Sequence, residues 1–113
     1  MRKVLLLALL VVALAVPAFA LAVSLQPSQI GSGCTPGHVG TYHFVNNQIP
    51  DGFGAGTLTF SFTGGSSGSV GPYMILSHVQ HFSVSSTGTL ASASTNLPGK
   101  LVLSDFSCKK KRG

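Results

Sequence analysis

Four histidines, two aspartates and two cysteines carry most of the chemistry this 113-residue chain can offer. Neutral imidazoles suit Zn and Cu, so His38, His43, His78 and His81 raise the question of a metal. Strand spacing argues against one. Side chains an odd number of residues apart on a strand point to opposite faces. His38 and His43 are separated by five positions, and His78 and His81 by three. Neither pair converges on its own strand without a bulge, which leaves one histidine from each pair. His43 and His81 are thus weak candidates, and the expectation is surface or half-buried strand histidines with no metal and no cofactor.

Catalytic arrangements fare no better. Serines are plentiful, but no strand-to-helix nucleophile elbow accompanies them. Asp51 and Asp105 are the only acids, so paired-carboxylate chemistry needs both in one place. Asp51 sits in a Pro-Asp-Gly turn, where such a side chain usually bonds its own backbone. The glycine-rich stretch 64–72 lacks the lysine and the strand-to-helix setting of a phosphate cradle. No catalytic residue is expected, and the chain reads as a non-enzyme.

Two segments suit binding instead. In "TYHFVNNQIPDGFGAG", Tyr42, Asn46, Asn47 and Gln48 carry groups able to hydrogen-bond a sugar or peptide, if that stretch is a recognition edge. The plainer reading is a core strand whose amides satisfy the following turn. Lys109, Lys110, Lys111 and Arg112 form the most concentrated charge and can contact a polyanion such as a wall polymer or an anionic lipid surface. No aromatics interleave with them, so base stacking is not indicated and no specific nucleic acid is expected.

The elements that must position these residues begin after a targeting segment. Arg2 and Lys3 precede an uncharged run from Val4 to Val16, then Pro17 and the small-residue sites Ala18-Phe19-Ala20 and Ala20-Leu21-Ala22. That is the pattern of a secretory signal peptide over residues 1–22, formed as a helix and cleaved after Ala22, with a retained anchor as the alternative. The protein is expected to be secreted or held at the cell surface, with no membrane span after cleavage. About 90 residues remain, enough for one small domain.

Cys34 and Cys108 in such a chain read as a disulfide, the competing arrangements being an intermolecular bridge or two free thiols. An internal bridge closes a loop worth roughly 4.5 kcal/mol by chain entropy.

Residues 23–37 are a polar lead-in with little regular structure expected. From 38 to 108, short β-branched and aromatic runs cut by Gly, Ser, Asn and Pro predict a single all-β domain. It has five to seven antiparallel strands, as a small sandwich or open barrel. In "TLTFSFT" the period of two is clean, with Leu58, Phe60 and Phe62 on one face. Residues 64–72 read as a flexible loop and 83–95 as edge strands. The parity slip between Leu103 and Phe106 predicts a bulge near Ser104-Asp105. Residues 109–113 read as a basic tail with a mobile tip.

Cys34, the run Tyr42-His43-Phe44-Val45, Asn47-Gln48 and the Leu103-Ser104 pair before Cys108 resemble elements of small exported proteins of unassigned function. The resemblance implies a disulfide-stapled exported β domain and no particular activity. The functional expectation is a non-catalytic exported domain for surface binding or adhesion, its partner a cell-envelope polyanion, a glycan or another protein. A self-assembling subunit of an extracellular layer or filament, and so a homo-oligomer, is the alternative. A small hydrolase or metal-binding protein stands third.

Overall fold

The computed structural model describes residues 22–111. The predicted signal helix and Arg112 lie outside the described residues. The described chain is all β, and none of its helices is long and apolar enough to cross a membrane. Eight strands follow in order: β1 (Val23–Ser24), β2 (His38–Asn47), β3 (Leu58–Thr63), β4 (Ser67–Val70), β5 (Met74–Leu76), β6 (Val79–Ser86), β7 (Thr89–Thr95) and β8 (Lys100–Lys110). They form two four-stranded antiparallel sheets, β1-β7-β3-β4 and β5-β6-β2-β8. The architecture is a sandwich, with no closed barrel.

Alternation along each strand builds the core between the sheets. β3 turns Leu58, Phe60 and Phe62 inward, β2 contributes Tyr42 and Phe44, β6 contributes Phe82 and Val84, and Leu90 and Leu101 close the layer. Tyr42 lies at its centre, stacked on Phe106 at 5.1 Å and tilted against Phe62 at 4.8 Å between ring centres. Gly40 makes room for that ring, because a Cβ there would stand 2.6 Å from Tyr42 Cε1. Gly88 has a positive φ of 84° and passes so close to Thr63 O that a Cβ would meet it at 2.3 Å.

The expected bulge is present. Along β8 the register with β2 jumps from Asp105 opposite His43 to Leu103 opposite Phe44, leaving Ser104 unpaired. The skipped residue lets Leu103 and Phe106 both pack against the core.

Three expectations need correction. The stretch 64–72 is not a loop throughout, since Ser67–Val70 pairs with Leu58–Ser61 as β4. Ladder hydrogen bonds use main-chain groups, so a hairpin forms over serine and glycine that carry no apolar signature. The lead-in has the little regular structure expected, yet it is tied to the sheet. Val23 and Ser24 pair with Thr95 and Ser94, Gly31 N–H donates to Leu90 O, and Gly33 bridges to Thr89.

β6 and β7 are not edge strands. Each lies between two neighbours, although the outer neighbours, β5 and β1, are only three and two residues long. Finally, the basic segment begins inside the sheet. Lys109 and Lys110 pair with Val39 and His38, and Lys111 N–H donates to Gly37 O at 2.7 Å.

The Cys34–Cys108 disulfide is formed, with Cα atoms 5.8 Å apart. Cys34 follows the residue that bridges to β7, while Cys108 lies on β8, so the bond joins one sheet to the other. Gln29 adds a second tie: its side-chain amide accepts from Leu103 N–H at 3.2 Å and donates to Leu103 O at 3.4 Å. Replacing both cysteines by serine is expected to lower unfolding free energy by about 4 kcal/mol in urea titrations. An unchanged midpoint would contradict that role.

Candidate functional site

The predicted ligand contacts divide by strand parity. Tyr42 and Asn46 are fully buried on the inner face of β2 and offer nothing to a ligand. Burial raises the Tyr42 hydroxyl above its ordinary value near 10, so it stays neutral. That hydroxyl donates to Ser32 O at 3.4 Å. Asn46 donates to Pro98 O at 3.0 Å and accepts from the Thr95 hydroxyl, which in turn accepts from Leu97 N–H at 3.3 Å.

The amide therefore secures the 96–99 turn rather than the turn that follows its own strand. That following segment is held by Gln80, which accepts from Gly56 N–H and donates to Gly54 O, both at 2.8 Å. Asn47 is half-buried, and Gln48 is exposed in a left-handed conformation, φ 59°, where β2 ends.

Three surface features remain. One is a cluster on the outer face of the β5-β6-β2-β8 sheet. His43 registers with Ser83 and Val45 with His81, so the two histidines are diagonal neighbours on one face. His43 Nε2 and His81 Nδ1 are 3.0 Å apart, and Tyr73 Oη reaches the same His43 nitrogen. Spacing along the chain leaves this pair open, and the β2–β6 register makes it. His38 and His78 go elsewhere. His38 Nδ1 meets the Thr35 hydroxyl at 3.1 Å, and His78 Nδ1 donates to Ile49 O at 2.7 Å. His78 Nε2 also lies 3.5 Å from the exposed Asp51 carboxylate.

The second feature is the edge formed by β5. Tyr73, Met74, Ile75 and Leu76 are consecutive large apolar residues, and all are exposed, three of them by half or more. A cleft of about 160 Å³ runs beside the strand, bounded by Phe53, Ile75, Leu76 and His78. The unalternating run "YMIL" was the available signal for this edge, because a strand paired on both sides and covered does not expose successive apolar residues.

The third feature is the basic end. Lys109, Lys110 and Lys111 are exposed at the disulfide end of the sandwich. Lys111 and His38 flank a cleft of about 340 Å³ whose floor includes Gly37, Gly64 and Gly88. The two aspartates do not meet: Asp51 stands beside the β5–β6 turn, and Asp105 lies on β8 at the opposite edge of the sheet.

No protein-family model, curated protein or solved structure matches the chain.

The burial pattern separates structural amides from exposed ones. Asn46→Ala strands the Pro98 carbonyl and the Thr95 hydroxyl in the core, and is expected to cost about 2 kcal/mol. Gln48→Ala is expected to stay within about 0.5 kcal/mol of the parent. Urea unfolding of both variants checks the contrast.

Proposed function

We propose that this is an exported, non-catalytic domain that associates by strand addition at the β5 edge, its partner a second copy of the chain. The observation that carries the reading is the lack of protection at that edge. An open sheet edge presents free main-chain donors and acceptors, and proteins that remain apart blunt their edges.

The other three edges are blunted. β8 carries the Ser104 bulge, the Gln29 amide, the disulfide and the lysines. β1 is two residues long and runs into the Pro27–Gln29 turn. β4 is a short serine and glycine strand followed by Gly71-Pro72. β5 is short too, at three residues, but it has no charge, no proline and no bulge, and it exposes its apolar side chains.

A second copy fits the charge distribution. Two β5 strands meeting antiparallel about Ile75 place Met74 beside Leu76 of the other copy, apolar against apolar. The lysine-bearing β8 strands then lie at the far edges of a continuous eight-stranded sheet. At about 4.8 Å per strand they stand roughly 34 Å apart, several screening lengths at physiological salt. A three-residue edge buries little area, so the association is weak and rises with concentration.

Light scattering and sedimentation of the oxidised protein are expected to show reversible association that Ile75→Lys abolishes. Ile75 is exposed, so the melting temperature should hardly move. Monomer at every concentration would exclude self-pairing.

Lys109, Lys110 and Lys111 favour a second reading, contact with an anionic polymer of the cell envelope. Their base is fixed by β8, so this cluster is presented rather than trailing. Retention of the protein on dextran sulfate is expected to fall with salt, and in a Lys109/Lys110/Lys111→Ser variant. Retention that survives both changes would remove the lysines from the reading.

A further inference from the structure

The outer-face cluster of His43, His81 and Tyr73 lies outside the core, with Tyr73 alone shared with the β5 edge. We propose that it is a binding site for a divalent first-row transition metal, Cu²⁺ in preference to Zn²⁺. The donors are His43 Nε2, His81 Nδ1 and the Tyr73 phenol oxygen, and solvent completes the coordination.

Donor atoms from three segments gather about His43 Nε2. The two imidazole nitrogens are 3.0 Å apart, and the phenol oxygen is 2.5 Å from the nearer of them. Cis donors about 2.0 Å from a tetragonal Cu²⁺ are separated by about 2.8 Å, so only small side-chain shifts admit an ion. The ring centres lie 5.2, 5.4 and 6.0 Å apart, in mutual contact.

Without a cation the arrangement is oversubscribed. His43 Nε2 has one hydrogen or one lone pair, yet two partners approach it. If Nε2 carries the hydrogen, that hydrogen is shared between two acceptors. If it is bare, its one lone pair is shared between two donors. A metal ion accepts all three lone pairs at once.

The backbone holds the donors in place before binding. β2, carrying His43, is paired on both sides, and His81 is its diagonal neighbour across the β2–β6 ladder. Tyr73 N–H donates to His81 O at 2.9 Å, which fixes the phenol's base above that histidine. Ser104 Oγ donates to His43 O at 3.1 Å and braces the strand from the β8 side.

The nearest acid by register is Asp105, directly across from His43, and it adds negative charge to this face. Lys109, four residues farther along β8, is the nearest cation on that strand. No three His, Cys, Asp or Glu residues converge among the described residues. The third donor here is a phenol, that of Tyr73. Imidazole donors rank Cu²⁺ above Zn²⁺ by the usual affinity order.

The test uses oxidised full-length chain purified without a histidine tag, stripped of metal and titrated with Cu²⁺ and with Zn²⁺ by calorimetry. One equivalent of Cu²⁺ is expected to bind more tightly than Zn²⁺, and to be released as the pH falls and the imidazoles protonate. His43→Asn and His81→Asn are each expected to weaken binding at least about tenfold, a loss typical even of supporting groups around a metal. Tyr73→Phe, at an exposed position, should lower affinity and remove any phenolate-to-copper absorption band.

His38→Asn and His78→Asn should leave the titration unchanged. Circular dichroism and thermal melting confirm that each variant is folded. Absence of one-equivalent binding, or binding that is lost in the His38 or His78 variant and kept in the other two histidine variants, overturns the assignment.

Discussion

The period of two along β2 is the constraint on which the rest depends. That strand is paired on both sides, so its side chains have only two destinations, the core and the outer face. Tyr42, Phe44 and Asn46 take the first, and His43 and Val45 take the second. One slip in register would exchange these sets and bury His43. The contacts of Tyr42 with Phe106 and Phe62 tie β2 to its own sheet and to the facing one, so the core itself opposes a slip.

The two ends of the sandwich are closed by different chemistry. At one end the disulfide joins the lead-in of the β1 sheet to β8. At the other, Asn46, Thr95 and Gln80 direct buried polar groups at the main chain of the 54–56 and 96–99 segments. A single buried hydrogen bond contributes about 1 kcal/mol net, so the amides secure loop geometry more than total stability. The covalent link acts on the unfolded chain, where it removes the entropy of a long loop. A small core with few apolar layers needs both, since hydrophobic burial scales poorly with so short a chain.

Much of the fold was legible because it rests on local patterns. The apolar face of β3 can be read over a few residues, and the cysteine pair from its count alone, although its members are 74 residues apart. The bulge was legible for a related reason: Leu103 and Phe106 are both apolar and have opposite parity, so one residue between them had to leave the ladder. β4 was hidden because main-chain pairing gives Ser67–Val70 its place, and no side chain advertises it. The same limit applied to the lead-in, whose partner β7 lies some 70 residues along the chain.

The candidate site shows where local reading stops. Parity excludes convergence of His38 with His43, or of His78 with His81, on a single strand. It says nothing about His43 and His81, because their relation depends on a ladder between strands separated by β3, β4 and β5. Only the register with Val45 opposite His81 makes them diagonal neighbours. Tyr42 and Asn46 make the converse point. Their polar groups suggested recognition, but the parity that sends His43 outward sends both of them into the core. Chemical type proposes a function for a side chain, and pairing decides whether solvent can reach it. On this sheet pairing leaves the imidazoles and a phenol within reach of solvent, and uses the amide of Asn46 and the Tyr42 hydroxyl to hold the fold.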